Sequence, residues 1–208
     1  SSGNLRLRKH DQQELAHYAK ATTDIEYHFP WGWGELEGIA NRTDFDLMRH
    51  TNMSGERLVV FDEETNMHIS PYIIEPSGGV DRATLTFLLD SYCEEEIPTN
   101  SGKVETRTLL KLNPALAPVK AAVLPLSRNA AITPLALEIA NRLRTRSVWN
   151  IEYDDSQSIG RRYRRFDEIG TPICITVDFE TLNDHEVTIR DRDTMQQTRI
   201  PISNLENE

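Results

Sequence analysis

The chain has 208 residues, of which 38% are hydrophobic and 27% charged, with a formal net charge of −10. This balance describes a folded globular protein with room for two cores, and it excludes both a low-complexity chain and one that grips nucleic acid with its whole surface. Charge is uneven, with 10 basic and 19 acidic residues before Leu109 against 13 and 14 from Leu109 on, so any nucleic-acid surface belongs to the second half.

A helix is predicted from Asp11 to about Ala21, with Leu15, Ala16, Tyr18 and Ala19 at helical spacing. Ile25, Tyr27 and Phe29 alternate with polar residues and predict a strand. Trp33 to Ile39 predicts a second strand, flanked by glycines that permit close backbone approach. Thr43 or Asp44 caps a short helix through His50. Arg57 to Phe61 and Ile69 to Glu75 follow as strands joined by a polar turn, a succession typical of an antiparallel sheet. Beyond Pro76-Ser77-Gly78-Gly79 the period changes, and Val80 to Cys93 reads as a helix.

Ile97 to Lys103, rich in Pro, Asn, Ser and Gly, is the expected linker. Two domains are predicted, 1–105 and 106–208. In the second, strands at Lys120 to Leu126, Val148 to Tyr153, Ile173 to Asp178, Glu186 to Arg190 and Thr198 to Ile200 alternate with helices at Pro134 to Arg144 and Ile159 to Ile169. That alternation predicts a mixed α/β sheet with helices packed on it. The expected class is therefore α+β followed by α/β.

Cys93 and Cys174 lie outside any CxxC pattern and read as buried free thiols in a reducing, cytoplasmic setting. The six histidines show no metal-ligand spacing, so no structural metal is expected. Apolar runs fall far short of the roughly 20 residues of a membrane-spanning helix. Ser1-Ser2-Gly3, without Met, reads as a tag remnant or an excised start, so a fragment is expected.

Two stretches carry candidate chemistry. Glu75-Pro76-Ser77-Gly78-Gly79-Val80-Asp81-Arg82 stands where a strand meets a helix, offering a carboxylate, a hydroxyl and exposed backbone. Arg82 in the first turn opposes the helix dipole, which points to an anion or a stacking partner. A plain turn in which Asp81 pairs with Arg82 is the alternative. In Trp31-Gly32-Trp33-Gly34-Glu35-Leu36-Glu37-Gly38, the spacing of Glu35 and Glu37 puts both carboxylates on one strand face, either for a cation or as a solvated acidic face.

WGWGELEGIANRTDFDL at 31–47 and YIIEPSGGVDRATLTFLLDSY at 72–92 resemble class II glycyl-tRNA synthetases, the latter being similar to that family's motif 3. The resemblance continues through LKLNPALAPVKAAVLPL at 110–126, DDSQSIGRRYRRFDEIGTP at 154–172 and VTIRDRDTMQQTRI at 187–200. It implies the end of a class II catalytic core followed by an anticodon-binding domain. It also implies ATP-dependent formation of glycyl-adenylate and transfer of glycine to tRNA(Gly), by a cytoplasmic homodimer that uses magnesium with its ATP.

By the same resemblance, Glu35, Leu36, Gly79, Val80, Asp81 and Arg82 belong to the ATP site, and Glu75, Pro76, Ser77, Gly78 and Gly79 to the glycine pocket. The family's motifs 1 and 2 are expected before Asn4, so the fragment alone is expected to be inactive. For tRNA the candidates are Arg161, Arg162, Arg164 and Arg165 around Tyr163. Salt bridges to Asp154, Asp155, Asp167 and Glu168 are the alternative for about half of them. A synthetase-like protein without catalysis, similar to the accessory subunit of mitochondrial DNA polymerase, competes with the enzyme reading, as does an autonomous RNA-binding domain.

Overall fold

The computed structural model describes residues 2–98, 102 and 104–205. The chain forms two compact units, Ser1–Asp90 and Ser91–Glu208.

In the first unit, β1 (Leu5–Lys9), β2 (Ala21–Phe29), β3 (Gly32–Asn41) and β6 (Ile74–Gly78) form an antiparallel sheet in the order β1-β2-β3-β6. Between β3 and β6 come α1 (Phe45–Ser54) and a separate hairpin of β4 (Val60–Asp62) and β5 (Met67–Ile69). Helix α2 (Val80–Ser91) follows β6 directly. Alternation along β2 decides which face each side chain takes: Tyr27 and Phe29 lie together on one face, at 3% and 2% exposure.

The helix predicted from Asp11 does not form. Residues 11–20 run as turns, with Glu14 N–H bonded to the Asp11 carbonyl and Ala19 N–H to that of Ala16. The apolar residues that suggested a helix are used singly. Tyr18, for example, lies under the Arg42 guanidinium, 4.0 Å from its ring centre.

The second unit opens with a hairpin, β7 (Tyr92–Pro98) against β8 (Val104–Leu110). It continues through β9 (Ala121–Pro125), α3 (Thr133–Arg146), β10 (Ile151–Tyr153), α4 (Ile159–Glu168), β11 (Ile173–Val177), a short α5 (Thr181–Asp184), β12 (Glu186–Asp191) and β13 (Gln197–Pro201). The sheet order is β10-β9-β11-β12-β13. β9 pairs parallel with β10 and β11, and the last two strands add antiparallel.

All five residues of β9 are buried because helices cover both faces. Ala121 and Val123 pack with Ala136, Ile139, Ala140 and Leu143 of α3. Ala122 and Leu124 pack with Phe166 of α4. An antiparallel sheet followed by a mixed sheet with helices is the expected fold class.

The division at Asp90 and Ser91 falls earlier than the boundary expected at 105/106. The reason is the hairpin: β8 lies against α4, Leu109 is fully buried, and Arg107 bonds Asp167 of α4 at 3.0 Å. Of the expected linker, Ile97 and Pro98 are strand residues, while residues 99–101 and 103 lie outside the described residues.

Candidate functional site

The register of the first sheet sorts its side chains into two faces. Asp24 lies opposite Gly38, and Gly38 opposite Ser77. Glu26 lies opposite Glu35, and Glu75 opposite Ala40. Paired residues share a face, so one face carries Asp24, Glu26, Glu35, Ser77 and Glu75.

Its buried carboxylates are matched by β1 and the residue after it. Glu26 pairs with Arg6 at 2.6 Å, and Asp24 with His10 at 2.6 Å. Arg6 also lies 4.3 Å from the Trp33 ring centre.

Glu37 does not join that face. It lies opposite Ile25 while Glu35 lies opposite Glu26, and adjacent residues of β2 point to opposite sides. The expected pair of like-facing carboxylates is thus separated by a β-bulge at Leu36, which adds one residue to β3. Leu36 itself turns toward α2, where it lines a shallow cavity of about 250 Å³ with Tyr27, Ala83 and Phe87. That cavity is on the face opposite Glu75 and Ser77.

Gly78 also differs from expectation. A Cβ built there would meet Glu37 Cγ and the Leu36 carbonyl at 3.7 Å, on the side away from Ser77. Its missing side chain therefore does not shape the space beside Ser77. Gly79 has no atom within 4 Å of such a Cβ. Glu75, Ser77 and Glu35 share a face, but Pro76 and Gly78 point the other way.

Arg82, in the first turn of α2, donates from Nη1 to the Glu35 carbonyl at 2.5 Å. This partner, rather than Asp81, accounts for a cation at a helix start, and it joins the Gly79–Arg82 segment to the Glu35-Leu36 segment of β3. Glu75 accepts from Arg42 Nη1 at 2.5 Å, and Arg42 also donates to Asp46 at 2.7 and 3.1 Å. Those bonds raise the Arg42 pKa and hold the Asp46 carboxyl below its ordinary value. Glu75 thus lies beside a guanidinium held from two sides.

In the second unit the four candidate arginines have different fates. Arg162 is fully buried and donates to the carbonyls of Pro125 at 2.7 Å, Asp154 at 2.9 Å and Leu126 at 3.3 Å. It clamps the ends of parallel strands and cannot reach RNA, which corrects its assignment as a tRNA contact. Burial pushes its pKa down. Arg164 pairs with Glu105 and Arg165 with Asp154, each keeping about half its side chain in solvent. Arg161 is exposed.

Buried Asp167 receives two bonds from Arg190, at 2.8 and 3.0 Å, besides the one from Arg107.

Residues 120–208 match the family described as Anticodon binding domain. Along almost its entire length the chain is similar to proteins named glycine-tRNA ligase. That of Thermobifida fusca is 59% identical over 98% of this chain and 44% of the relative, and that of Streptomyces coelicolor 55% over the same shares. A Staphylococcus aureus relative is 57% identical over 99% of this chain and 43% of its own length.

The chain is a homologue of the class II glycyl-tRNA synthetases.

It spans about 44% of the length of those glycyl-tRNA synthetases. Two solved structures share the fold at low identity. Giardia lamblia prolyl-tRNA synthetase in complex with prolyl-adenylate has a TM-score of 0.63 at 17% identity, covering 98% of this chain and 39% of that one. Cryptosporidium parvum prolyl-tRNA synthetase with L-proline and AMP has a TM-score of 0.60 at 19% identity, covering 97% and 40%.

Within the synthetase homologue, the anticodon-binding match starts one residue before β9 and leaves the β7–β8 hairpin outside it, although that hairpin belongs to the same compact unit. Reading the sequence missed Arg42. Its signal was present as an arginine four residues before Asp46, a helical ion-pair spacing, but nothing local linked it to Glu75, 33 residues on.

Proposed function

We propose that the chain is part of an ATP-dependent glycine-tRNA ligase. In this reading the first unit supplies contacts to glycine and to the nucleotide, and residues 120–208 hold the anticodon end of tRNA(Gly). The observation that carries it is the Glu75-Arg42 pair beside Ser77. A free amino acid is a zwitterion, and a carboxylate next to a guanidinium offers a partner to each of its ends. Glu75, Ser77 and the backbone of Pro76, Gly78 and Gly79 serve glycine. Glu35, Leu36, Gly79, Val80, Asp81 and Arg82 serve ATP, with the planar Arg82 guanidinium against the purine.

Glycine's carboxylate attacks the α-phosphorus, pyrophosphate leaves, and the glycyl group then passes to a ribose hydroxyl of the tRNA while AMP leaves. This chain's residues bind and orient; the positive charge that stabilises phosphorus is assigned to the rest of the longer protein. Among the described residues no three metal-binding side chains converge. Magnesium commonly arrives on phosphates and water with one or two carboxylates, and exposed Glu35 is suited to that role. Arg161, Arg164 and Arg165 are the tRNA contacts retained from the arginine cluster. The whole protein is read as a cytoplasmic homodimer.

The test is amino-acid-dependent exchange of pyrophosphate into ATP by the full-length protein. Exchange is expected with glycine and at least about 100-fold less with alanine or serine at equal concentration. Exchange supported equally by all three amino acids would remove glycine from this site.

A further inference from the structure

We infer that Leu36 is a positioning residue: its bulge, anchored on the α2 side of the sheet, sets the Glu35 carbonyl that holds the Arg82 guanidinium. The inference rests on the reading of Arg82 as a purine contact. To the place of Leu36 among the ATP residues it adds a role carried by the apolar side chain.

Three observations carry it. First, β3 pairs with β2 from Ala21 to Phe29, yet it breaks register at one place, between the partners of Ile25 and Glu26. An extra residue forfeits ladder bonds and bends the strand, and such irregularities are enriched where a strand must re-aim a group. Second, the Glu35 carbonyl next to the bulge accepts the Arg82 hydrogen bond at 2.5 Å. Third, Leu36 and Ala83, the residues that follow Glu35 and Arg82 in the chain, line the same cavity with Leu5, Tyr27 and Phe87. The polar contact on one side and the apolar lining behind it are therefore one construction. With the bulge held by Leu36, the carbonyl stays where Arg82 needs it, and Arg82 spends no binding energy on being ordered when the nucleotide arrives.

Truncating Leu36 enlarges a space that is already partly open, so the first unit should keep its fold. In the full-length protein, Leu36→Ala is expected to raise KM for ATP about tenfold in pyrophosphate exchange, with KM for glycine changed less than about twofold. Leu36→Met, which keeps the volume, should restore the parent value to within about twofold. Arg82→Ala should raise KM for ATP at least as much, and the double variant should be no worse than Arg82→Ala, because both remove one interaction. Leu36→Val provides a milder step, expected at about threefold, should the alanine variant unfold.

An equal rise in both Michaelis constants, no rise with either alanine or valine, or additive effects with Arg82→Ala each overturn the positioning role. Arg82→Ala without effect on ATP overturns the reading of Arg82 itself and this inference with it.

Discussion

Replacing Arg162 by alanine should destabilise the second unit rather than remove a surface contact. The side chain is fully buried and donates to three main-chain carbonyls, those of Pro125, Leu126 and Asp154, at the ends of β9 and β10. Hydrogen bonds to a charged group contribute about 1.5–3 kcal/mol each, but burial of the guanidinium, which also depresses its pKa, takes much of that back. Removing one member of such a buried arrangement costs about 3–5 kcal/mol, because the remaining groups lose partners without regaining water. For a unit of this size the melting temperature should fall by roughly 10–20 °C. The assay is a urea or thermal melt of the chain, run beside tRNA binding at several salt concentrations. Arg161→Ala is the surface control: stability within about 0.5 kcal/mol, and a salt dependence of binding reduced by about one phosphate contact. A parental melt for Arg162→Ala, combined with lost tRNA affinity, would show that the clamp argument is wrong and that the side chain faces RNA.

Three further outcomes follow from particular contacts. Gly170 closes α4 with φ +80°; its N–H bonds the Asp167 carbonyl, the Thr171 N–H bonds that of Phe166, and an added Cβ would sit 2.8 Å from Leu112 Cδ1. Gly170→Ala should therefore cost about 2–4 kcal/mol in a urea melt, against about 1 kcal/mol for Gly55→Ala, where φ is +77° but the space is open; equal costs would remove the steric argument. Burial alone would raise the Asp178 pKa, yet the N–H and hydroxyl of Thr181 and the Arg199 guanidinium outweigh it and hold the carboxyl below its ordinary value. Its stabilisation is complete above a pH of about 4 and is lost as pH falls through the lower folded value, so melts between pH 7 and 2 should show an acid loss that Asp178→Asn reduces. Cys174 is 1% exposed, with its thiol pushed up to about 12 by burial; a thiol reagent should label Cys93 in the folded chain and Cys174 only after denaturation.

The second unit was legible because its pattern is local. β9 is a short apolar run followed by a helix whose Ala136, Ile139, Ala140 and Leu143 recur at helical spacing, and each neighbouring element repeats that logic. The first part of the chain was harder, for reasons particular to its residues. β1 reads LRLRK, and its arginines pair with Glu26 and Asp24, partners that no window of ten residues reveals. β7 contains three consecutive glutamates, and its last two residues, Ile97 and Pro98, fall in the stretch read as linker. It is a strand because Glu95 lies opposite Arg107 and also pairs with Lys111.

Within the candidate site, alternation along the strands assigned some side chains to faces that they do not share. Period-two reasoning put Glu35 with Glu37, and only the register against β2 exposes the extra residue at Leu36. It also gave Gly78 a place beside Ser77, whereas alternation along β6 points it at Glu37. The arginine cluster of α4 was recognised as a cluster, but a helix of this kind divides its residues around its circumference, and Arg162 took the buried position.

The central claim is that Glu75, fixed by Arg42, receives the ammonium of glycine. The most direct test is Glu75→Gln in the full-length protein, with initial rates of glycine-dependent pyrophosphate exchange measured against glycine and ATP separately. Loss of one charge from a charge-assisted bond predicts a fall in the specificity constant for glycine of about 10- to 100-fold, with KM for ATP unchanged and the thermal melt unaltered. An unchanged specificity constant for glycine, or a defect confined to ATP, would contradict the account.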